Sequence, residues 1–192
     1  MMLTRRAAFA PVVAVPFLPF LRSPLLAQSS VLDLTPACGA AEPTAAQSEG
    51  PYFRPGAPQR RDLAADAPSA QHILLGGLVL DPACRPISGA LVQVWHADDA
   101  GHYDTRGNRL RGYALTDARG AWSFSTVVPS PYWSRTRHYH FKVSRPNGPV
   151  LTTQLYFPDE PSNLRDRQFD PRLVLHLADE GGLVGRFDFV VA

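Results

Sequence analysis

Trp122-Ser123-Phe124-Ser125-Thr126-Val127 alternates large apolar with small polar side chains through Ser125. Successive residues of a β-strand point to opposite faces, so this run reads as a half-buried strand. The same signature recurs on both sides of it. Upstream are Ile73-Leu74-Leu75-Gly76-Gly77-Leu78-Val79-Leu80 and Ala90-Leu91-Val92-Gln93-Val94-Trp95. In the second of these, Leu91, Gln93 and Trp95 share one face, and Val92 and Val94 the other. Downstream, parts of 138–144, 150–157 and 184–191 alternate in the same way. Asp81-Pro82, Ser88-Gly89, Asp117-Ala118-Arg119-Gly120 and Pro146-Asn147-Gly148 punctuate the runs as turns. Short strands at this spacing predict an all-β fold, an antiparallel β-sandwich. No segment carries a long helical stripe, and 19 prolines disfavour a helical bundle. Residues 71–192 read as the single sandwich domain. Residues 28–70, rich in Pro, Ala, Ser and Gly, read as an irregular N-terminal arm wrapped around it.

The first 27 residues read as an address rather than as fold. Thr4-Arg5-Arg6-Ala7-Ala8-Phe9 opens a basic region, an apolar run follows, and Leu25-Leu26-Ala27 resembles a small-residue cleavage site. This is the pattern of a signal peptide, and the arginine pair points to the twin-arginine type. Pro11, Pro16, Pro19, Pro24 and Arg22 interrupt the run, which argues against a membrane span. The expected product is exported, periplasmic or extracellular, with no membrane association after signal removal. Loss of Arg5, Arg6 and Arg22 would turn the formal net charge of +2 into −1. The basic balance therefore belongs to the leader, and no nucleic-acid partner is read from it. In an exported chain the two cysteines, Cys38 and Cys84, are expected to pair.

His138-Tyr139-His140 carries the chemistry. On a strand, i and i+2 share a face, so the two imidazoles converge and can offer a pair of metal ligands. Tyr103 and Tyr132 supply candidate phenolates. Two histidines with two phenolates form a hard donor set that favours Fe(III), because a coordinated phenol gives up its proton to the metal's charge. Asp98, Asp99 and Asp104 keep two-histidine, one-carboxylate alternatives open, including a Zn or Cu site. His72, His96, His102 and His176 read as structural or exposed. Arg54, Arg60 and Arg61 read as a solvated run, and Trp95 and Trp122 as core.

Seven pieces between Glu49 and Asp159 resemble the intradiol ring-cleavage dioxygenases, the family of catechol 1,2-dioxygenase and protocatechuate 3,4-dioxygenase. They are Glu49-Gly50-Pro51-Tyr52-Phe53, Cys84-Arg85-Pro86-Ile87, Val94-Trp95-His96-Ala97-Asp98 with Gly101-His102-Tyr103, Thr116-Asp117, Val128-Pro129-Ser130-Pro131-Tyr132, His138-Tyr139-His140-Phe141, and Leu151-Thr152-Thr153-Gln154-Leu155-Tyr156-Phe157. The resemblance implies a catalytic domain with non-haem Fe(III) held by Tyr103, Tyr132, His138 and His140. It implies that Tyr103 stays bound throughout turnover and that Tyr132 leaves when substrate binds. Arg135 resembles the arginine that stabilises charge on the substrate, and Gln154 the glutamine beside the reacting carbon. The implied reaction cleaves a catechol-type ortho-diol with O2 to a cis,cis-muconate-type diacid, without an organic cofactor. A homo-oligomer is compatible with it.

The chain also departs from the family pattern. Arg137 stands where the family usually has a proline nearby, and Tyr139 stands between the histidines in place of an aliphatic residue. Arg137 offers the same charge as Arg135, two residues further on. The gap of six residues from Tyr132 to His138 is shorter than in the best-known members, and that gap usually shapes the substrate pocket. No counterpart of the helical N-terminal region of catechol 1,2-dioxygenases is expected from the residues ahead of the sandwich. The rival reading from another class is a non-catalytic exported β-sandwich that binds a ligand or partner.

Overall fold

The structure, a computed structural model, describes residues 42–192. The leader expected over residues 1–27, its arginine pair, and Cys38 lie outside them.

Among the described residues nine strands build two sheets: β1 (His72–Leu80), β2 (Leu91–Trp95), β3 (Arg111–Leu115), β4 (Ala121–Val127), β5 (His138–Ser144), β6 (Leu151–Tyr156), β7 (His176–Asp179), β8 (Leu183–Arg186) and β9 (Phe189–Val190). One sheet has the order β3-β2-β5-β6, antiparallel throughout. The other has the order β4-β1-β8-β7, with β9 also paired to β1. The all-β sandwich is as the alternation predicts. Pairing is not antiparallel everywhere, because β1 runs parallel to both β8 and β9. The chain jogs at Phe187-Asp188 so that two successive strands lie along β1. The Phe187 N–H donates to Gly76 O at 3.0 Å, and the Leu78 N–H donates to Asp188 Oδ1 at 2.8 Å, where a carboxylate oxygen takes the place of a ladder carbonyl. A Cβ on Gly77 would lie 1.8 Å from Phe187 O, so the jog needs glycine there.

One apolar core lies between the sheets. Ile73, Leu75, Trp122, Phe124 and Phe189 meet Val92, Val94, Tyr139, Phe141 and Val143 in it. The rings of Trp122 and Phe141 stand 5.4 Å apart, centroid to centroid, and those of Phe141 and Phe189 5.2 Å. Tyr139, the unusual residue between the histidines, belongs to this layer, and its hydroxyl donates to Val127 O at 3.0 Å. Its buried oxygen is thereby satisfied, so a tyrosine fits where an aliphatic residue is usual.

Because Tyr139, Phe141 and Val143 face the core, His138, His140 and Lys142 must face the other side of the β3-β2-β5-β6 sheet. That side is not open to solvent: the first four residues of β5 are all buried. The arm covers it. Gln47 N–H donates to Thr152 O and Arg60 N–H to Tyr113 O on that sheet's two edge strands, while Thr44 N–H to Val190 O and Leu63 N–H to Ser125 O tie the arm to the other sheet. Lys142 pairs with Glu49. Arg60 is not merely solvated, since it forms two hydrogen bonds to the Asp66 carboxylate, at 3.0 and 2.6 Å, and one to Arg111 O at 3.0 Å. Cys84 is disulfide-bonded. Its expected partner, Cys38, lies outside the described residues.

Candidate active site

The strand register sets a row of side chains on the arm-covered face. Trp95 on β2 pairs with His140 on β5, which pairs with Gln154 on β6; one step along, His138 pairs with Tyr156. The indole of Trp95 stacks on the imidazole of His140 with centroids 5.0 Å apart and planes 9° from parallel. On the arm, Gly50 has a φ of +72° and approaches so closely that a Cβ there would lie 3.1 Å from His140 Cε1. Sheet and arm together fix the ring.

Tyr103 arrives from the loop between β2 and β3. The Asp98 carboxylate accepts from the N–H groups of Ala100 and His102 and from Arg109, and Asp104 accepts from Arg106, Gly107 and Arg109. These carboxylates tie down the loop on both sides of the tyrosine. Gly101, at φ +82°, lets the loop close on Pro131, whose carbonyl would be 2.7 Å from an added Cβ.

Three donor atoms converge. Tyr103 Oη lies 3.1 Å from His140 Nε2 and 3.3 Å from His138 Nε2, and the two Nε2 atoms are 3.1 Å apart. His138 Nδ1 must donate to Thr136 O, at 2.6 Å, because a carbonyl can only accept. In the neutral ring that leaves the Nε2 lone pair facing the triangle. Burial favours the neutral form of both rings, lowering His138 to about 4 and His140 well below its ordinary value. With His138 Nε2 bare, the triangle has at most two hydrogens, on Tyr103 and His140, for three close contacts. Hydrogen bonding cannot satisfy all three, whereas one central cation would. Cis donors ~2.1 Å from a first-row metal ion are roughly 3 Å apart, so the spacing fits such an ion. Burial also pushes the Tyr103 phenol well above its ordinary range, with Arg135 and Arg111 pulling the other way. A metal ion is the charge that would let it ionise.

Tyr132 stands beside the triangle. Its hydroxyl hydrogen-bonds Tyr52 Oη at 2.5 Å, and its ring packs edge-on to Tyr103 with centroids 5.5 Å apart. Tyr52 stacks on Tyr103 at 4.5 Å. Three tyrosines thus cluster where the sequence singled out two. Tyr52 belongs to the Glu49–Phe53 motif, but its contact with Tyr132 spans 80 residues of sequence.

Arg135 is half-sunk beside the triangle. Its Nε donates to both oxygens of Asp166, at 3.0 and 2.8 Å, and its NH2 group to Gln154 Oε1 at 2.5 Å and Tyr156 Oη at 3.2 Å. Gln154 Nε2 donates in turn to Ser48 O at 2.9 Å. Arg137 points elsewhere, ion-paired with Glu160 at 3.0 Å and lying over the ring of Phe157. Of the two arginines, Arg135 is the one beside the triangle. His96 is buried, its Nδ1 donating to Ala97 O and its Nε2 accepting from the Thr126 hydroxyl, both at 2.7 Å. His72, His102 and His176 are exposed. Among the described residues, no group of three or more His, Cys, Asp and Glu converges in a way that could hold a metal, which leaves the carboxylate alternatives without a donor set.

A family model described as Dioxygenase matches residues 48–178. The chlorocatechol 1,2-dioxygenase of Pseudomonas sp. (strain P51) is 30% identical, over 74% of this chain and 68% of that protein. The protocatechuate 3,4-dioxygenase beta chain of Burkholderia cepacia is 32% identical, over 65% of this chain and 66% of its own length. The chain spans about half to two thirds of the curated relatives it matches. Among solved structures, the dioxygenase domain of a dioxygenase carbohydrate-binding protein fusion from Streptomyces sp. SirexAA-E superposes with a TM-score of 0.76 at 44% identity, covering 78% of this chain and 98% of that one. The 3-chlorocatechol 1,2-dioxygenase of Rhodococcus opacus 1CP gives 0.69 at 26%, covering 80% and 74%. The fold, the ordered motifs and these likenesses define a ring-cleaving class of oxidoreductase. The chain belongs to the intradiol ring-cleavage dioxygenase family.

Proposed function

We propose that this protein is an exported, non-haem Fe(III) intradiol dioxygenase acting on a catechol-type ortho-diol. The observation that carries the reading is the convergence of Tyr103 Oη, His138 Nε2 and His140 Nε2 to within 3.1–3.3 Å, with a carboxylate-braced arginine beside them. Tyr103, His138 and His140 would hold the ion, and Tyr132 would complete the set from its place next to Tyr103. Bound Fe(III) would supply Lewis-acid stabilisation of the two diol oxygens and draw electron density from the ring.

The chain's own residues divide the remaining work. Tyr132 is the general base that accepts a proton from a diol hydroxyl, and Tyr52 holds the resulting phenol by its short hydrogen bond. Arg135 presents fixed positive charge where negative charge develops on the substrate, and Asp166 keeps it from swinging away. Gln154, held by Arg135 and Ser48 O, orients the reacting carbon. The arm residues Ser48–Tyr52 exclude water from the face they cover. Net addition of O2 across the bond between the hydroxylated carbons gives a diacid that keeps both oxygen atoms.

Product formed from catechol under ¹⁸O2 tests this. Incorporation of two labelled atoms into a ring-opened diacid is expected; a quinone, or a product with no label, would overturn it. Export rests on the leader alone. Replacing Arg5 and Arg6 by lysine should hold precursor in the cytoplasm, and normal processing of that variant would argue against the twin-arginine route.

A further inference from the structure

The shortened link between Tyr132 and His138 has a structural cause with a functional consequence. Arg135 N–H donates to Tyr132 O at 2.8 Å and Tyr132 N–H to Arg135 O at 3.3 Å, closing a two-residue turn. The turn places Trp133 at its first central position with φ +50°. Glycine, asparagine and aspartate are preferred at such positions, and a bulky aromatic residue sits there against backbone preference. Its side chain earns nothing by burial, since Trp133 is 91% exposed, whereas Trp95 and Trp122 are sealed in. It nevertheless has a definite neighbour: its ring stacks on Tyr132 with centroids 5.7 Å apart and planes 28° from parallel. Tyr103, Tyr132 and Trp133 form a continuous file of rings from the donor triangle to the surface.

We propose that Trp133 is a specificity-determining platform that stacks on a second aromatic ring of the substrate, so that the protein prefers catechols with an aryl substituent over catechol itself. The proposal rests on the dioxygenase reading for the position of the reacting ring. The alternative occupant, a second copy of the chain, is disfavoured by the surroundings. Pro131 and Ser134 beside Trp133 are exposed, and the ring's aromatic contact runs inward, to Tyr132, which ties it to the site and not to a dimer face. A file of rings that starts at the donor triangle favours a flat, extended partner continuous with the ring held there.

The test compares the affinities of catechol and 4-phenylcatechol for the iron-loaded protein, by isothermal titration without oxygen. The parent should bind 4-phenylcatechol about 3- to 10-fold more tightly than catechol, the range one aromatic contact supports. Trp133→Ala should remove that preference, and Trp133→Phe should restore most of it. Val150→Ala, an exposed apolar change on a separate turn, should keep the parent's ratio. An equal ratio in parent and Trp133→Ala would overturn the proposal. So would a change of sedimentation coefficient in Trp133→Ala, which would assign the platform to self-association. Oxygen uptake by the parent with catechol separates the two readings. Uptake with an unaltered binding ratio sinks only the platform, and absence of uptake sinks the dioxygenase reading while the ratio still judges Trp133.

Discussion

Tyr52 Oη lies 2.5 Å from Tyr132 Oη, so the hydroxyl expected to complete the donor set is held by a residue of the N-terminal arm. The arm therefore reaches the site, and on the proposed reading this bond would set how readily Tyr132 moves between Tyr52 and the triangle. Tyr52→Phe keeps the ring on Tyr103 and deletes the hydrogen bond. Losing it costs about 1 kcal/mol and favours Tyr132 at the metal, in competition with substrate. Catechol affinity without oxygen should fall roughly 5-fold. Unchanged affinity would show that Tyr52 only packs.

Arg135 makes a prediction that separates charge from scaffold. Arg135→Ala should keep iron while ring cleavage falls ~100-fold or more, the usual cost of removing a preorganised donor. Arg137→Ala, which breaks only the pair with Glu160, should cleave at close to the parent rate. Asp166→Asn should slow cleavage by a smaller factor, because the guanidinium keeps Gln154 and Tyr156 but loses its anionic anchor. If Arg137→Ala is the inactive variant, the assignment is wrong.

Much of this was legible in the sequence. The alternation at β1, β2, β4, β5 and β6 marks strands with one face in the core, and the i, i+2 rule places His138 and His140 together before any fold is known. β3 escaped, because Arg111-Gly112-Tyr113-Ala114-Leu115 buries an arginine and a glycine and so shows no apolar alternation. β7 is exposed along its whole length and has no pattern to read. The parallel pairing of β8 and β9 with β1 was invisible, since side-chain period carries no information on strand direction. Asp166, between Arg165 and Arg167, carries little in the sequence to set it apart from a surface acid; its burial under Arg135 and Thr136 reveals its role. The Arg165-Asp166-Arg167 alternation was the one available hint.

The buried histidines predict a pH window for stability. Burial first, with Arg111 and His138 adding to it, lowers His96 from 6.5 to about 4. Between those values the unfolded chain binds a proton that the native state does not. Stability from this source is full above pH 6.5 and falls as pH drops, reaching a loss of about 3 kcal/mol near pH 4. His138 and His140 act in the same direction in iron-free protein. Asp104, held at about 2 by the N–H groups of Gly107, Arg106 and Arg109, titrates below this window. The Tm of iron-free protein should therefore begin to decline between pH 7 and about pH 5, above the range where the carboxylates contribute. A flat Tm over that range would contradict the burial argument.

Cys84 lies in a disulfide, and the expected partner is Cys38. Replacing both cysteines by serine should lower stability by roughly 2–4 kcal/mol. Thiol counting in denatured, non-reduced protein should find none; two free thiols in exported protein would refute the bond.

The central claim is a ferric centre built on Tyr103, His138 and His140, and iron content read together with the visible spectrum tests it most directly. Metal analysis of the purified protein should find one iron per chain and a broad visible phenolate-to-iron band that shifts when catechol is added without oxygen. Tyr103→Phe should lose both iron and band. A colourless parent with full zinc or copper occupancy, or a Tyr103→Phe protein with the parent's iron and colour, would contradict the account.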